Sequence, residues 1–266
     1  MKCCRIGVIY VAEGREYSDL ARQSAISLRT HEPTLPILLF TDQVETNEVF
    51  DEVRPIPDGC KRAKIGSMAQ MPFEYNLFLD CDTLVVQPLG DLFEILDRFD
   101  LALCHDVRRS SELIERGWRE KTPYAFPQMN SGVMLFKRSS AMISFFAKWA
   151  ETYETAGLDR DQITLKDLLW KTDIRLWVLP PEFNLRRVTV LDAWEPLDAV
   201  PTIIHSHRLL QHINTGSERV TDLETLLAME RTALSDEWRK YGLENRNRNI
   251  KDPSEWFRIS KKNRQS

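Results

Sequence analysis

Short apolar runs of strand length recur along the chain, and stretches with helical periodicity separate several of them. Ile6–Val11, Ile37–Phe40, Leu77–Leu79 and Leu101–Cys104 are the clearest. Runs this short, bounded by turn or polar residues, read as buried strands. Between the first two lies Ser18–Arg29, whose Leu20, Ala21, Ser24, Ala25 and Leu28 share one helical face. Phe50–Arg54 is a weaker strand, and Lys61–Met71 reads as a helix stopped by Pro72. The order β-α-β-(β)-α-β selects an α/β fold, a mostly parallel central sheet with helices on both faces. In such sheets ligands gather at the carboxyl ends of the strands.

The second half continues the pattern. Asp91–Phe99 reads as a helix, and Arg108–Gln128 is a long connection without a clean period, the usual form of a functional loop. Met129–Phe136 enters a strand through the small polar turn Asn130-Ser131-Gly132. Ala141–Thr155 and Ile163–Trp170 are helices, Leu176–Leu179 and Thr202–Ile204 strands. From Asp222 a helical stripe of Leu223, Leu226, Leu227, Leu234 and Trp238 runs to about Tyr241. Arg246–Ser266 then holds seven basic and two acidic residues around Trp256 and Phe257. The reading is one main domain over 1–220 and a helical, basic C-terminal extension over 221–266.

The formal charge of -4 over 266 residues argues against nucleic-acid binding. No apolar stretch reaches the roughly 18 residues of a membrane span, and Met1–Arg5 leads straight into a strand with no signal-peptide core. Five scattered cysteines without a C-x-x-C pair suit free thiols in a reducing compartment. The expectation is a cytoplasmic protein, and the basic-aromatic tail reads either as a solvated terminus or as a peripheral contact to an anionic membrane.

The chemistry concentrates at Asp80-Cys81-Asp82, directly after Leu77–Leu79. Two aspartates at the end of a buried strand are costly unless something positive meets them. A divalent metal, a cationic side chain or a set of backbone donors would each serve, and turn-capping is the plain alternative. Hard divalent ions take one or two carboxylates plus substrate phosphates. Tyr10–Glu13 and Asp42 fall at neighbouring strand ends, which favours a ligand site. Cys81, between the aspartates, reads as a small buried filler.

Six motifs in order then resemble glycosyltransferase family 8, nucleotide-sugar glycosyltransferases of the GT-A (Rossmann-like) fold, over about Ile6 to Arg208. They are Arg62-Ala63-Lys64, Asp80-Cys81-Asp82, Asn130-Ser131-Gly132, Asp161-Gln162, Leu179-Pro180-Pro181-Glu182-Phe183-Asn184 and Ile203-Ile204-His205. The family usually continues its histidine as H-x-x-G-x-x-K-P-W. Here His205-Ser206-His207-Arg208-Leu209-Leu210-Gln211-His212 lacks the glycine and the lysine, so Arg208 or His212 would have to replace that lysine at the donor diphosphate.

The resemblance implies a retaining hexosyl transfer from a nucleoside-diphosphate sugar, UDP-sugars favoured, to a glycan, lipid-linked or protein acceptor. It implies Mn²⁺ or Mg²⁺ held by Asp80, Asp82 and His205. Two oxygens and one imidazole lean towards Mn²⁺. Asp80 would also approach the donor, Arg62 and Lys64 would hold its hydroxyls or phosphates, and Asn130 would bond its sugar. Tyr10, Ala12 and Asp42 would line the base and ribose pocket. Asp161 and Gln162 would face the reacting carbon, Asp161 as nucleophile in a double displacement or Gln162 as support in front-face attack. The plainer readings are solvated charges for Arg62 and Lys64, a turn residue for Asn130 and a helix N-cap for Asp161. Two rivals compete with the whole assignment. One is a catalytically silent GT-A domain that binds a sugar nucleotide or a partner. The other is a haloacid dehalogenase-like phosphatase, which wants Thr two residues after its second aspartate and a later acidic pair that this chain lacks.

Overall fold

The structure, a computed structural model, describes residues 5–43, 48–107 and 117–240. Its strands are β1 (Ile6–Ala12), β2 (Ile37–Thr41), β3 (Glu52–Pro55), β4 (Tyr75–Leu79), β5 (Thr83–Val85), β6 (Leu101–His105), β7 (Met129–Lys137), β8 (Leu176–Val178) and β9 (Ile203–His205). Its helices are α1 (Arg15–His31), α2 (Ala63–Met68), α3 (Ser140–Ala156), α4 (Asp161–Lys171), α5 (Gln211–Thr215) and α6 (Leu223–Lys240), joined by short 3₁₀ turns.

Seven strands form the central sheet in the order β3-β2-β1-β4-β7-β6-β8. All are parallel except β7, which runs antiparallel between β4 and β6. Alternate residues sort to opposite faces, as the period of a strand requires. Val8 and Tyr10 of β1 pack with Leu20, Ala21 and Leu28 of α1. Ile9 packs on the other face in the cluster that holds Ile65, Phe146 and Trp149. Helices therefore cover both faces, and a mostly parallel α/β sheet is what forms.

β5 and β9 make a separate antiparallel ribbon. A third cluster covers it, with Leu84, Ile204, Leu185, Val188, Leu209 and Leu226 of α6 all buried. The C-terminal helix thus packs onto the ribbon. Among the described residues no helix is long and apolar enough to cross a membrane.

Three local expectations are corrected. The segment read as a helix over Asp91–Phe99 is a 3₁₀ helix, Leu92–Asp97, which still buries Leu92, Phe93 and Leu96. α2 ends at Met68 rather than Met71, which has φ 40°. The αR region is disfavoured immediately before proline, here Pro72. Asn130-Ser131-Gly132 is no turn but the buried interior of β7. The first part of the long connection and the basic-aromatic tail lie outside the described residues.

Candidate active site

At Leu79 the chain reaches the carboxyl end of the sheet, and the next three residues turn out of it. Asp80 N–H makes a last ladder bond to Gly132 O at 2.8 Å. Thr83 Oγ1 donates to Asp80 O at 2.8 Å and closes the turn. With its proton so committed, Thr83 accepts from Ser24 Oγ (2.6 Å), and Ser24 in turn accepts from the Tyr10 hydroxyl (3.0 Å). Cys81 is buried and donates to Val11 O at 3.3 Å, the filler that its position suggested.

β5 then pairs with β9, Thr83 opposite His205. That register sets the last residue of β9 beside both aspartates. His205 Nε2 lies 3.3 Å from Asp82 Oδ1 and 3.9 Å from Asp80 Oδ2. One ligand atom from each of the three residues falls within 4.8 Å of the others, and among the described residues no other such group forms. The close approach requires Gly132. A Cβ there would stand 2.0 Å from His205 Cε1 and 2.9 Å from Asp80 Oδ2.

A buried line of amides orients the imidazole. Asp106 Oδ2 accepts from Asn130 Nδ2 (3.4 Å), Asn130 Oδ1 from Asn184 Nδ2 (2.9 Å), and Asn184 Oδ1 from His205 Nδ1 (2.9 Å). Asn130 Oδ1 also accepts from Gly132 N–H at 3.0 Å. All four side chains in the line are at most 6% exposed. Nδ1 therefore donates into the line, and Nε2 is the atom turned to the carboxylates. Such partners commonly fix the tautomer of a metal-ligating histidine. Two oxygens and this nitrogen are a donor set that fits a divalent ion.

The cations divide into two groups. Lys64, 8% exposed, donates to Asp80 Oδ1 at 3.1 Å and lies 3.7 Å from Asp161 Oδ2. Arg62 Nε donates to the same Asp161 oxygen at 3.3 Å, and Ser131 Oγ to its other oxygen at 3.3 Å. Burial pushes the Asp161 carboxyl up, but Lys64 and Arg62 outweigh it and hold it below the usual carboxylate range. On the other side, Arg186 Nη1 lies 3.0 Å from His205 Nε2 and 3.3 Å from Nδ1. The guanidinium is thus nearly equidistant from both ring nitrogens and lies against the ring. Burial pushes Asp82 up too, yet His205 and Arg186 together leave it at about 2.

Several solved glycosyltransferases share this architecture. LgtC, a galactosyltransferase in complex with donor and acceptor sugar analogues, matches with a TM-score of 0.54 and 15% identity, over 75% of this chain and 86% of its own. An active-site Gln→Glu mutant of LgtC matches at 0.55 and 15%, over 88% and 99%. GlyE of Streptococcus pneumoniae TIGR4 matches at 0.59 and 16%, over 93% and 66%. The fold is that of the GT-A glycosyltransferases. No family model and no curated protein sequence matches the chain. With a GT-A fold the phosphatase alternative falls away.

The GT-A frame brings Asp80, Asp82, His205, Arg62, Lys64, Asp161 and Asn130 together from the β4–β5 turn, β7, β9, α4 and the start of α2. Two of the plainer readings fail, and two of the expected contacts differ. Lys64 is no solvated helix charge, since it is buried between two carboxylates. Asp161 is the first residue of α4, and Arg160 holds the N-cap position. Asn130 is 2% exposed, with both amide atoms committed inside the protein. Gln162 is half-buried, and its Oε1 accepts from Arg160 at 2.8 Å.

The expected base pocket is only partly open. Tyr10 is fully buried, with its hydroxyl on Ser24, and Ala12 is 1% exposed. Asp42 is exposed, and its Oδ1 accepts from Gly14 N–H at 2.7 Å, which lowers its pKa together with Gln43. Arg208 turns away to Glu230 of α6, at 3.8 Å.

Arg186, Asp106 and Asp167 had no signal in the sequence. Asp167 accepts from three successive backbone N–H groups, Trp118 (3.2 Å), Arg119 (2.5 Å) and Glu120 (2.9 Å), and so pins the described end of the long connection. Asn184 was visible as the end of a motif, but its task of orienting His205 was not.

Proposed function

We propose that the chain is a metal-dependent, retaining glycosyltransferase that moves a hexosyl unit from a nucleoside-diphosphate sugar, UDP-sugars favoured, to a glycan, lipid-linked or protein acceptor. The observation that carries this reading is the Asp80–Asp82–His205 group at the strand-end turn of a GT-A fold. LgtC, with its galactosyl transfer and its sugar-analogue complex, supports the hexosyl donor.

Sugar transfer leaves negative charge on the departing diphosphate, and a site must stabilise that charge more than it stabilises the ground state. Asp80, Asp82 and His205 would hold Mn²⁺ or Mg²⁺, which supplies Lewis-acid charge at that diphosphate when bound. Lys64 and Arg62, fixed by Asp161, present positive charge on the opposite flank and orient the sugar or its phosphates. Ionised Asp161 keeps those cations in place. As a nucleophile it would have to give up contacts with Lys64, Arg62 and Ser131, which supports front-face attack with Gln162 beside the reacting carbon. Asn130 acts through Asn184 on His205, a positioning role rather than a sugar contact. Asp42 and the backbone around Ala12 border the nucleoside, while Tyr10 braces the turn from behind.

The test is donor cleavage. Incubated with a panel of UDP- and GDP-sugars and Mn²⁺, the protein should release nucleotide from at least one hexose donor. Chelation and Asp82→Ala should each abolish the release. Binding without cleavage would mark a silent sugar-nucleotide domain. Neither binding nor cleavage of any donor would overturn the reading.

A further inference from the structure

Where the start of α4 meets the start of β7, an arginine holds one end of Gln162. Arg160 precedes α4 with extended backbone, φ -109° and ψ 121°. Side chains two apart on a helix do not face each other, but Arg160 lies outside the helix and can turn back over Gln162. Its Nη2 donates to Gln162 Oε1 at 2.8 Å and to Gln128 Oε1 at 3.4 Å. Gln128 is fully buried, and its carbonyl accepts from Asp106 N–H at 2.9 Å. The guanidinium therefore rests on a fixed support. A guanidinium only donates, so the Gln162 atom beside it is the carbonyl oxygen and a flipped amide is excluded. The other end of that amide is a donor, and Nε2 makes no hydrogen bond among the described residues. Positive charge on the carbonyl oxygen draws electrons from the amide nitrogen and strengthens its N–H as a donor.

We propose that Arg160 is a positioning residue for sugar transfer: it holds the carbonyl oxygen of Gln162 away from the donor, so that Gln162 meets the donor with its N–H. The inference rests on the donor reading above, which sets Gln162 beside the reacting carbon. An amide oxygen there would face the positive charge that develops on the sugar ring. The N–H instead faces an oxygen on which negative charge builds as the bond to the diphosphate breaks. A hydrogen bond of that kind strengthens in the transition state, so it raises turnover more than it tightens binding. Without Arg160 the amide is free to turn over.

The test measures nucleotide release by the full chain, with Mn²⁺, against the concentration of UDP-galactose or of whichever sugar nucleotide in the donor panel is cleaved fastest. Arg160→Met should lower kcat about tenfold and leave KM within about twofold. Arg160→Lys, which keeps the charge and the donors, should recover most of kcat. In a Gln162→Ala background Arg160→Met should cost nothing further. Gln162→Glu, which sets a second oxygen in place of the N–H, should turn over more slowly than Gln162→Ala. Thermal unfolding would confirm that the variants fold. A raised KM at unchanged kcat would show that Arg160 binds the donor itself and overturn the proposal. Equal losses in both backgrounds would show that its effect does not pass through Gln162. Gln162→Glu as active as the wild type would make the oxygen the working end; either result overturns the proposal too. Absence of release from every donor by the wild type would instead remove the donor reading, and this inference with it.

Discussion

Gly132 carries no side chain, and the geometry of the site depends on that. Its Cα position on β7 lets the His205 ring and the Asp80 carboxylate close over the backbone. A methyl group cannot fit at 2.0 Å from His205 Cε1, so Gly132→Ala must move the ring, the turn or both. The expected outcome is a stability loss of about 1–3 kcal/mol from overpacking. Loss of ligand orientation should also weaken Mn²⁺ binding by at least about tenfold. Unfolding curves and Mn²⁺ titration measure the two effects. Full-strength Mn²⁺ binding in a folded Gly132→Ala would remove the close approach from the account. The glycine was legible as part of a motif, but the reason for it was not. That reason is a side chain 73 positions downstream.

The ribbon of β5 and β9 is the element that delivers His205, and α6 holds the ribbon down. Leu226 is fully buried against Leu84, Ile204 and Leu209. Glu230, one turn on, accepts from Ser206 Oγ, next to His205. Truncating a fully buried leucine costs about 2–5 kcal/mol, whereas a volume-conserving change costs less than about 1.5 kcal/mol. Leu226→Ala should therefore lower stability by about 3 kcal/mol and also weaken Mn²⁺ binding, with Leu226→Met close to wild type in both. A destabilised Leu226→Ala with unaltered Mn²⁺ affinity would show that α6 is packing alone. The leucine stripe of this helix could be read from its spacing. Its docking partner could not, because a stripe states that a face is buried and not what buries it.

Across the whole molecule, stability should follow the buried carboxylates. Asp82 and Asp161 are both held below the unfolded aspartate value of about 3.9. Each contributes stability that is fully present above that unfolded value and is lost as pH falls through the folded one, about 2 for Asp82. The melting temperature should hold from pH 7 to about pH 5 and then fall steeply towards pH 2. Asp161→Asn should cost about 3 kcal/mol at pH 7, since Lys64 loses a buried partner. Its acid limb should be shallower than that of the wild type. Parallel curves for the two proteins would mean that Asp161 contributes no pH-dependent stability.

The order of strands and helices and the two-sided sheet were determined by the sequence, because local periodicity encodes them directly, while the gathering of Asp80, Asp82 and His205 entered only through the resemblance to glycosyltransferase family 8. The antiparallel direction of β7, the burial of Asn130 and Tyr10, the pairing of Arg208 with Glu230 and the approach of Arg186 to His205 were decided only in three dimensions. The direction of β7 depends on which strands pair with it, and the side-chain pairings depend on which distant residue arrives with a free hydrogen bond or charge. A single stretch of chain carries no record of its eventual partner. The two aspartates could therefore be read as a site in search of a cation, while the arginine that shares His205 with them became visible only once β5 and β9 had paired.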